Sequence, residues 1–395
     1  MLSNRDLFLL NTAQTSNSPR LTEIVSAEGI YLYGPNGEKY MDLVSGFAVN
    51  NIGHRNPKVI KAIKDQLDKH MHVTVFGEFV QSPQIKLAEK LVSLLPETLN
   101  SVYFVNSGAE ATEGAMKIAK RYTGRTEIIA ASKAYHGSTQ GALSLIGNDE
   151  YREAYAPLLP DINFIEFNKL ADIEKISNKT AAVILETVQG EAGIRVPNVN
   201  WIQAVRKRCD ETGTLLILDE IQTGFGRTGK LFAFEHFGIT PDVILIAKAL
   251  GGGMPIGAFI ADKKVMDVIT HNPMLGHITT FGGHPVCCAA ALASVGVILD
   301  NNLVAPISEK AKLFRKYLQH PAIKEVRGIG FMLCIQLDTF DQVEKVSKYC
   351  ADKGVMIDWF LHCETALRLA PPLIISDEEI KMACGIILDG ITLYA

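Results

Sequence analysis

The chain lacks the features that would tie it to a membrane, a nucleic acid or a metal. Its longest apolar stretch free of charge, Val286–Leu299, falls short of the about 20 residues needed to cross a bilayer. Preceded by Gly282, Gly283, His284 and Pro285, it reads as a buried helix. The leading residues do not resemble a secretory signal, because the apolar patch Leu7–Leu10 is short and Asp6 interrupts it. Positive charge is not in excess: 39 Lys+Arg against 43 Asp+Glu leave a net −4. That excludes the basic footprint of a nucleic-acid or membrane-surface binder. The seven cysteines are odd in number, scattered and without a C-x-x-C pair. Reduced, packed thiols and a cytoplasmic location are the expectation. The ten histidines show no H-E-x-x-H or other metal spacing, so no metal is expected. Disorder is excluded by 47% hydrophobic against 21% charged residues.

What is present is alternation. Short apolar, β-branched runs at 101–105, 127–131, 163–167, 181–185, 215–218, 243–246 and 258–261 read as strands. Their near-continuous apolarity suits a mostly parallel sheet covered on both faces. Helical patterns such as Glu110–Arg121 and Asn200–Thr212 lie between them, which makes an α/β domain. The ends differ. Gly29–Leu43 reads as a hairpin around Asn36-Gly37. After a helix at about 286–300, the pattern becomes helix, strand (Gly330–Leu337), helix (Phe340–Lys353), strand. The expected organisation is a large domain over 56–300 with a seven-stranded sheet. A smaller α+β domain is expected from residues 1–55 and 301–395.

Parallel sheets bind ligands at the carboxyl ends of their strands, and four polar clusters fall there. At Asn106-Ser107-Gly108-Ala109-Glu110 a strand gives way to a helix whose free N–H groups suit a phosphate, with Gly108 allowing close approach. The same residues also read as an ordinary capping box, Ser107-x-x-Glu110. Asp219 and Glu220 close an apolar strand, and a carboxylate buried there needs a positive or protonated partner. Lys248 is the only charged residue between Asp242 and Asp262, and Gly251-Gly252-Gly253 follow it closely. An amine in such surroundings either snorkels or has a lowered pKa and serves as a nucleophile. Tyr135-His136-Gly137 offers a ring to stack on a flat ligand, with His136 reading as a structural hydrogen-bonding residue. Gly224-Phe225-Gly226-Arg227-Thr228-Gly229 matches G-x-G-x-x-G. It stands apart from its strand and opens no clear helix, which argues against a dinucleotide fingerprint.

An amine, a strand-end carboxylate, a phosphate-ready helix start and a stacking ring are the parts of a pyridoxal phosphate site. The sequence resembles the class III, fold-type-I pyridoxal-phosphate aminotransferases, closest in style to the acetylornithine and ornithine enzymes. The likeness runs through SGFAVNNIGH (45–54), NSGAEATEGAMKIAKR (106–121), YHG (135–137), ETVQGEAGI (186–194), LDEIQTGFGRTG (218–229), AKALGGGMPIGA (247–258), TTFGGHP (279–285) and LRLAPPL (367–373). The resemblance implies that Lys248 forms the Schiff base and moves the proton, and that Asp219 keeps the pyridine nitrogen protonated. It also implies that Gln222 bonds the ring's phenolic oxygen, and that Tyr135 and Ile221 cover the two ring faces. Ser107, Gly108 and Ala109 would hold the phosphate, completed by Thr280 from the partner subunit of a homodimer. Arg368 would bind a substrate carboxylate and Glu191 would cover Arg368 when an ω-amine enters. The implied reaction is amino transfer from an amino acid or ω-amine to 2-oxoglutarate. An aminomutase or decarboxylase on the same fold is the alternative enzyme, and a cofactor-binding protein without turnover the alternative from another class. In one place the chain departs from the pattern. Where the acetylornithine and ornithine enzymes carry an arginine after Y-H-G, it has Ser138, and a hydroxyl cannot replace a bidentate cation. The donor then lacks a carboxylate at that distance, or another residue such as Arg152 binds it.

Overall fold

Apolar runs without alternation need cover on both faces, and the chain supplies it. The structure, a computed structural model, describes residues 2–75 and 77–395. Three short strands come first: β1 (Ser26–Glu28), β2 (Tyr31–Tyr33) and β3 (Lys39–Asp42). Then come β4 (Ser101–Val105), β5 (Glu127–Ala131), β6 (Ile162–Ile165), β7 (Thr180–Glu186), β8 (Leu215–Asp219), β9 (Val243–Ile246) and β10 (Gly257–Ala261). These seven form one sheet in the order β4-β10-β9-β8-β7-β5-β6. Only β10 runs against its neighbours in it. The expected mostly parallel seven-stranded sheet is present.

Period-two alternation sorts each strand's side chains onto two faces. Val183, Leu185, Leu216, Leu218, Ile244 and Ile246 join a core that includes Trp201 of the Val199–Thr212 helix and Ala291 and Val295 of the Pro285–Asp300 helix. Ala182, Ile184, Ile217, Val243 and Leu245 face the other way, against Ala111, Ala115 and Ile118 of the Gly108–Thr123 helix. A third core joins both chain ends: Ile30, Met41 and Leu43 pack with Ile307, Phe314, Val346 and Ile387.

Two expectations in the C-terminal region and the sheet need correction. The strand read at 330–337 is present as β12 (Met332–Gln336), but a strand absent from the sequence reading, β11 (Glu325–Ile329), precedes it and forms a hairpin with it. The hairpin turns at Gly330, where φ is +54° and a Cβ would collide with the Thr228 backbone. β11 is an edge strand, mostly half-buried and carrying Glu325 and Arg327, so it has no apolar signature. The strand read at 163–167 begins and ends earlier, at 162–165. The remaining strands are β13 (Val355–Met356), which pairs parallel with β3, β14 (Asp358–Phe360) and β15 (Cys363–Leu369). No helix among the described residues is long and apolar enough to cross a membrane.

Candidate active site

The carboxyl ends of β4, β5, β7, β8 and β9 open onto one cavity of about 460 Å³. Asp219 lies at the tip of β8 and Glu186 at the tip of β7, and the two are register partners on adjacent parallel strands. Strand alternation therefore sets two carboxylates side by side. Both are buried. Asp219 Oδ1 accepts the Ile221 N–H at 2.9 Å, and Oδ2 lies 2.7 Å from Nδ1 of the buried His136. Burial opposes charge on the imidazole, but the hydrogen bond and charge of Asp219, with Glu186 beyond it, raise the His136 pKa. Glu186 accepts from the N–H groups of Gly190 at 3.1 Å and Tyr135 at 3.4 Å. Burial and the neighbouring Asp219 charge push its pKa up to about 8, against the pull of His136.

Lys248 leaves the end of β9 with φ at +45° and lines the same cavity. Its Nζ bonds no acceptor within the described residues. Burial depresses its pKa, opposed by the charges of Glu191 and Asp219. Across the cavity, Ser107 caps the Gly108–Thr123 helix, its Oγ accepting the Glu110 N–H at 3.1 Å. The reciprocal half of the expected capping box is missing, because Glu110 Oε2 takes the Asn106 N–H at 2.7 Å instead. The N–H groups of Gly108 and Ala109 stay unbonded within the described residues, as the first donors of a helix must. A Cβ on Gly108 would stand 2.8 Å from Ile221 Cδ1, so only glycine lets that side chain close over the helix start. Tyr135, Ile221, Gln222 and Ser138 also line it, with the Tyr135 hydroxyl 3.2 Å from Ser138 Oγ.

Glu191 also lines this cavity, and Arg368 lines a small recess beside it that shares Gln222. Their side chains form a bidentate pair at 2.8 and 2.5 Å. Arg368 is buried, with Phe47 and Phe360 ring centroids 5.0 and 4.7 Å from its guanidinium carbon. Burial alone would raise the Glu191 carboxyl, but the Arg368 charge and hydrogen bonds hold it below its ordinary value.

Thus Lys248, Asp219, Gln222, Ile221, Tyr135, Ser107, Gly108, Ala109 and Glu191 share one cavity, with Arg368 tied to Glu191. Thr280 does not line that cavity and is exposed on its own chain. Arg152 lies elsewhere, donating to the Ile146 carbonyl at 3.3 Å, pairing with Asp149 and stacking on Phe164. Glu186 is a site residue that the sequence reading does not single out. Its signal is an acid closing an apolar strand, the same signal that marks Asp219. Residues 224–228 are turns and 229 a bend, and Arg227 points into the interior to bond the Phe331 and Pro371 carbonyls.

The family profile "Aminotransferase class-III" matches residues 12–391. The chain belongs to the class-III aminotransferases. It is 41% identical to an acetylornithine aminotransferase of Methanocaldococcus jannaschii over 369 residues, 90% of each chain. It is 40% identical to a putrescine aminotransferase of Pectobacterium atrosepticum over 370 residues, 88% of this chain and 78% of that one. Among solved structures it is similar to a transaminase from the marine bacterium Virgibacillus, with a TM-score of 0.93, 26% identity, and 99% and 98% of the two chains covered. An ornithine aminotransferase from Toxoplasma gondii superposes with a TM-score of 0.91 at 27% identity, over 99% and 95% of the chains. The protein is a pyridoxal-phosphate-dependent aminotransferase, with an amino donor and a keto acid acceptor as substrates. The cavity fits that cofactor: two unbonded helix N–H groups suit a phosphate, an unbonded amine suits an aldehyde, and a buried carboxylate suits a protonated ring nitrogen.

Proposed function

We propose that this aminotransferase takes its amino group from an ω-amine and delivers it to 2-oxoglutarate, in a homodimer whose cavities are each completed by Thr280 of the other subunit. The observation that carries the reading is that the Lys248 amine, bonded to no acceptor among the described residues, and the buried Asp219 carboxylate line one cavity. When bound, pyridoxal phosphate supplies a protonated ring that delocalises the electron pair left as the donor carbon loses its proton.

The chain's own groups do the rest. Asp219, fixed by its bond to His136, would face the ring nitrogen and favour its protonated form. Lys248 would hold the cofactor aldehyde. Its depressed pKa leaves Nζ able to take the proton from the donor's amine-bearing carbon and return it to the neighbouring position. Ser107, Gly108 and Ala109 would hold the phosphate, Gln222 the phenolic oxygen, and Tyr135 and Ile221 the ring faces. The exposed position of Thr280 agrees with donation to a second copy.

The donor follows from the basic side chains. Among the described residues, Lys248 is the only lysine or arginine lining the cavity, Arg368 is held by Glu191, and Arg152 is engaged elsewhere. Ser138 offers only a hydroxyl. A donor that ends in an amine, with no carboxylate at the Ser138 end, meets no unmatched charge there. The Glu191–Arg368 pair stays closed for that donor and opens to give Arg368 to a carboxylate of the acceptor. Mixing the holoenzyme with a diamine, ornithine and N-acetylornithine tests this through the visible absorbance of the cofactor. The diamine should bleach it fastest, and bleaching by N-acetylornithine alone would overturn the donor assignment.

The third core, shared by both chain ends, supports residues 1–55 and 301–395 as one small domain beside a cofactor-holding domain at 56–300. Seven unpaired cysteines accord with a cytoplasmic location.

A further inference from the structure

Behind the loop that carries Glu191 lies a second, larger cavity of about 670 Å³. Lys133, Arg195 and Arg327 line it, against one acid, Glu325. Arg327 pairs with Glu325 at 3.2 Å. Lys133 and Arg195 form no ion pair among the described residues and are exposed. The cavity therefore holds two cations that nothing among those residues neutralises. Phe167, Ile194 and Val196 add apolar wall.

Cations spaced around an apolar wall match a molecule whose negative charges are separated by a short hydrocarbon. Guanidinium groups favour carboxylates, which they hold through paired hydrogen bonds. We propose that this cavity is a second anion site, taking a small dicarboxylate, distinct from the cavity of Lys248.

Its position gives it a mechanical link to the Glu191 loop. Arg327 Nε donates to the Gly193 carbonyl at 2.6 Å, two residues after Glu191. His362, also in the lining, donates its N–H to the Glu191 carbonyl at 3.0 Å, and the neighbouring Leu361 N–H donates to the Glu191 carboxylate at 3.1 Å. A Cβ on Gly193 would stand 2.6 Å from Arg327 Nη2 and 2.8 Å from Cys363 Sγ. The cavity wall and the loop bearing Glu191 are thus packed without slack.

Cys363 supplies a reporter. It lines this cavity and is the one cysteine of seven that is not buried. The experiment follows N-ethylmaleimide labelling of native holoenzyme, with the peptide carrying Cys363 read by mass spectrometry. Glutarate is the probe, because it has two carboxylates and no oxo group to accept an amine. Ionic strength is held constant with sodium chloride. Saturating glutarate should slow labelling of Cys363 by about fivefold or more, as mass action requires when the occupied fraction dominates. The Lys133→Glu/Arg195→Glu variant should label at one rate with or without glutarate, while keeping its transaminase activity. Labelling at an unchanged rate in the wild type would overturn the proposal. So would equal protection in the double variant, which would place the effect at Arg368. Inorganic phosphate protecting as well as glutarate at the same concentration would overturn the dicarboxylate assignment. The readout needs no turnover, so it stands or falls apart from the donor assignment above.

Discussion

Replacing Glu191 by glutamine tests whether the pair it forms with Arg368 is a gate. In the closed state two short, charge-assisted bonds join the side chains, and Arg368 is only 3% exposed. Breaking a buried ion pair outright costs ~3–5 kcal/mol, because the remaining charge is left uncompensated. The amide of Glu191→Gln would keep one acceptor, and Arg368 keeps the Trp359 carbonyl at 3.1 Å and its two aromatic neighbours. The loss therefore sits lower, at ~2 kcal/mol, the size of a hydrogen bond to a charged group. By the ordinary relation between free energy and equilibrium, ~2 kcal/mol shifts the closed-to-open ratio by about 30-fold. An acceptor that binds only the open arginine gains apparent affinity as the competent fraction rises. Its KM should fall by up to about 30-fold, with kcat little changed. The ω-amine should lose kcat/KM, because Arg368 now presents an unmatched charge. Initial rates over a grid of donor and 2-oxoglutarate concentrations separate the two effects. If Glu191→Gln leaves both KM values where they were, Arg368 does not alternate between partners and the gate is wrong.

Lys248→Ala should abolish turnover and the visible absorbance of the bound cofactor, and a variant that keeps its activity would refute the assignment of Lys248. Asp219→Asn removes the charge that supports His136 and should lower kcat by about two to four orders of magnitude, equivalent to ~3–5 kcal/mol for a lost buried charge; a loss under tenfold would speak against it. Glu186 is raised from an ordinary 4.5 to about 8, so the folded state binds a proton that the unfolded chain has released between those values. Its stabilising contribution is present below about 4.5 and lost as pH rises through about 8. Glu186→Gln should therefore gain Tm relative to wild type steadily across that window, and a difference independent of pH would refute the shift. Thr280→Ala should weaken pyridoxal phosphate binding several-fold, and mixed dimers with Lys248→Ala should recover one complete site; no recovery would separate Thr280 from the partner's cavity.

Much of the fold is legible in the sequence because the parallel sheet is buried on both faces. A strand such as β7, buried along its whole length, must be apolar throughout, and such runs stand out from amphipathic helices. β11 does not stand out, since an edge strand with charged residues has neither continuous apolarity nor clean alternation. The cofactor residues are legible for a related reason. A charged group at the end of an apolar strand is conspicuous, and Asp219 and Lys248 are both of that kind. Glu186 carries the same mark, but its importance depends on register. Only the pairing of β7 with β8 brings it beside Asp219, and pairing between strands separated by a helix is not written in either strand. Arg152 misleads for the opposite reason. Proximity to the Y-H-G segment in sequence does not decide where a long side chain ends, and the Phe164 ring and Ile146 carbonyl hold it away.

The register of β7 on β8 also bears on how the site manages charge. Two adjacent carboxylates cannot both ionise cheaply in a buried place. His136 bonds only one of them, Asp219, and leaves Glu186 to its neighbours' N–H groups. The asymmetry falls on Glu186, whose pKa burial and the Asp219 charge push up to about 8. A charged Asp219 is what a protonated ring nitrogen needs opposite it. A neutral Glu186 adds no competing negative charge beside Lys248, whose amine would otherwise be held protonated. Losing His136 should therefore remove a bond from Asp219 and a favourable charge from beside Glu186. In His136→Phe, the charge that pulls the Glu186 pKa down is gone and Asp219 loses its partner, so the pH profile of kcat should lose its plateau near neutrality. A plateau unchanged in that variant would show that the ordering of the two carboxylates does not depend on His136.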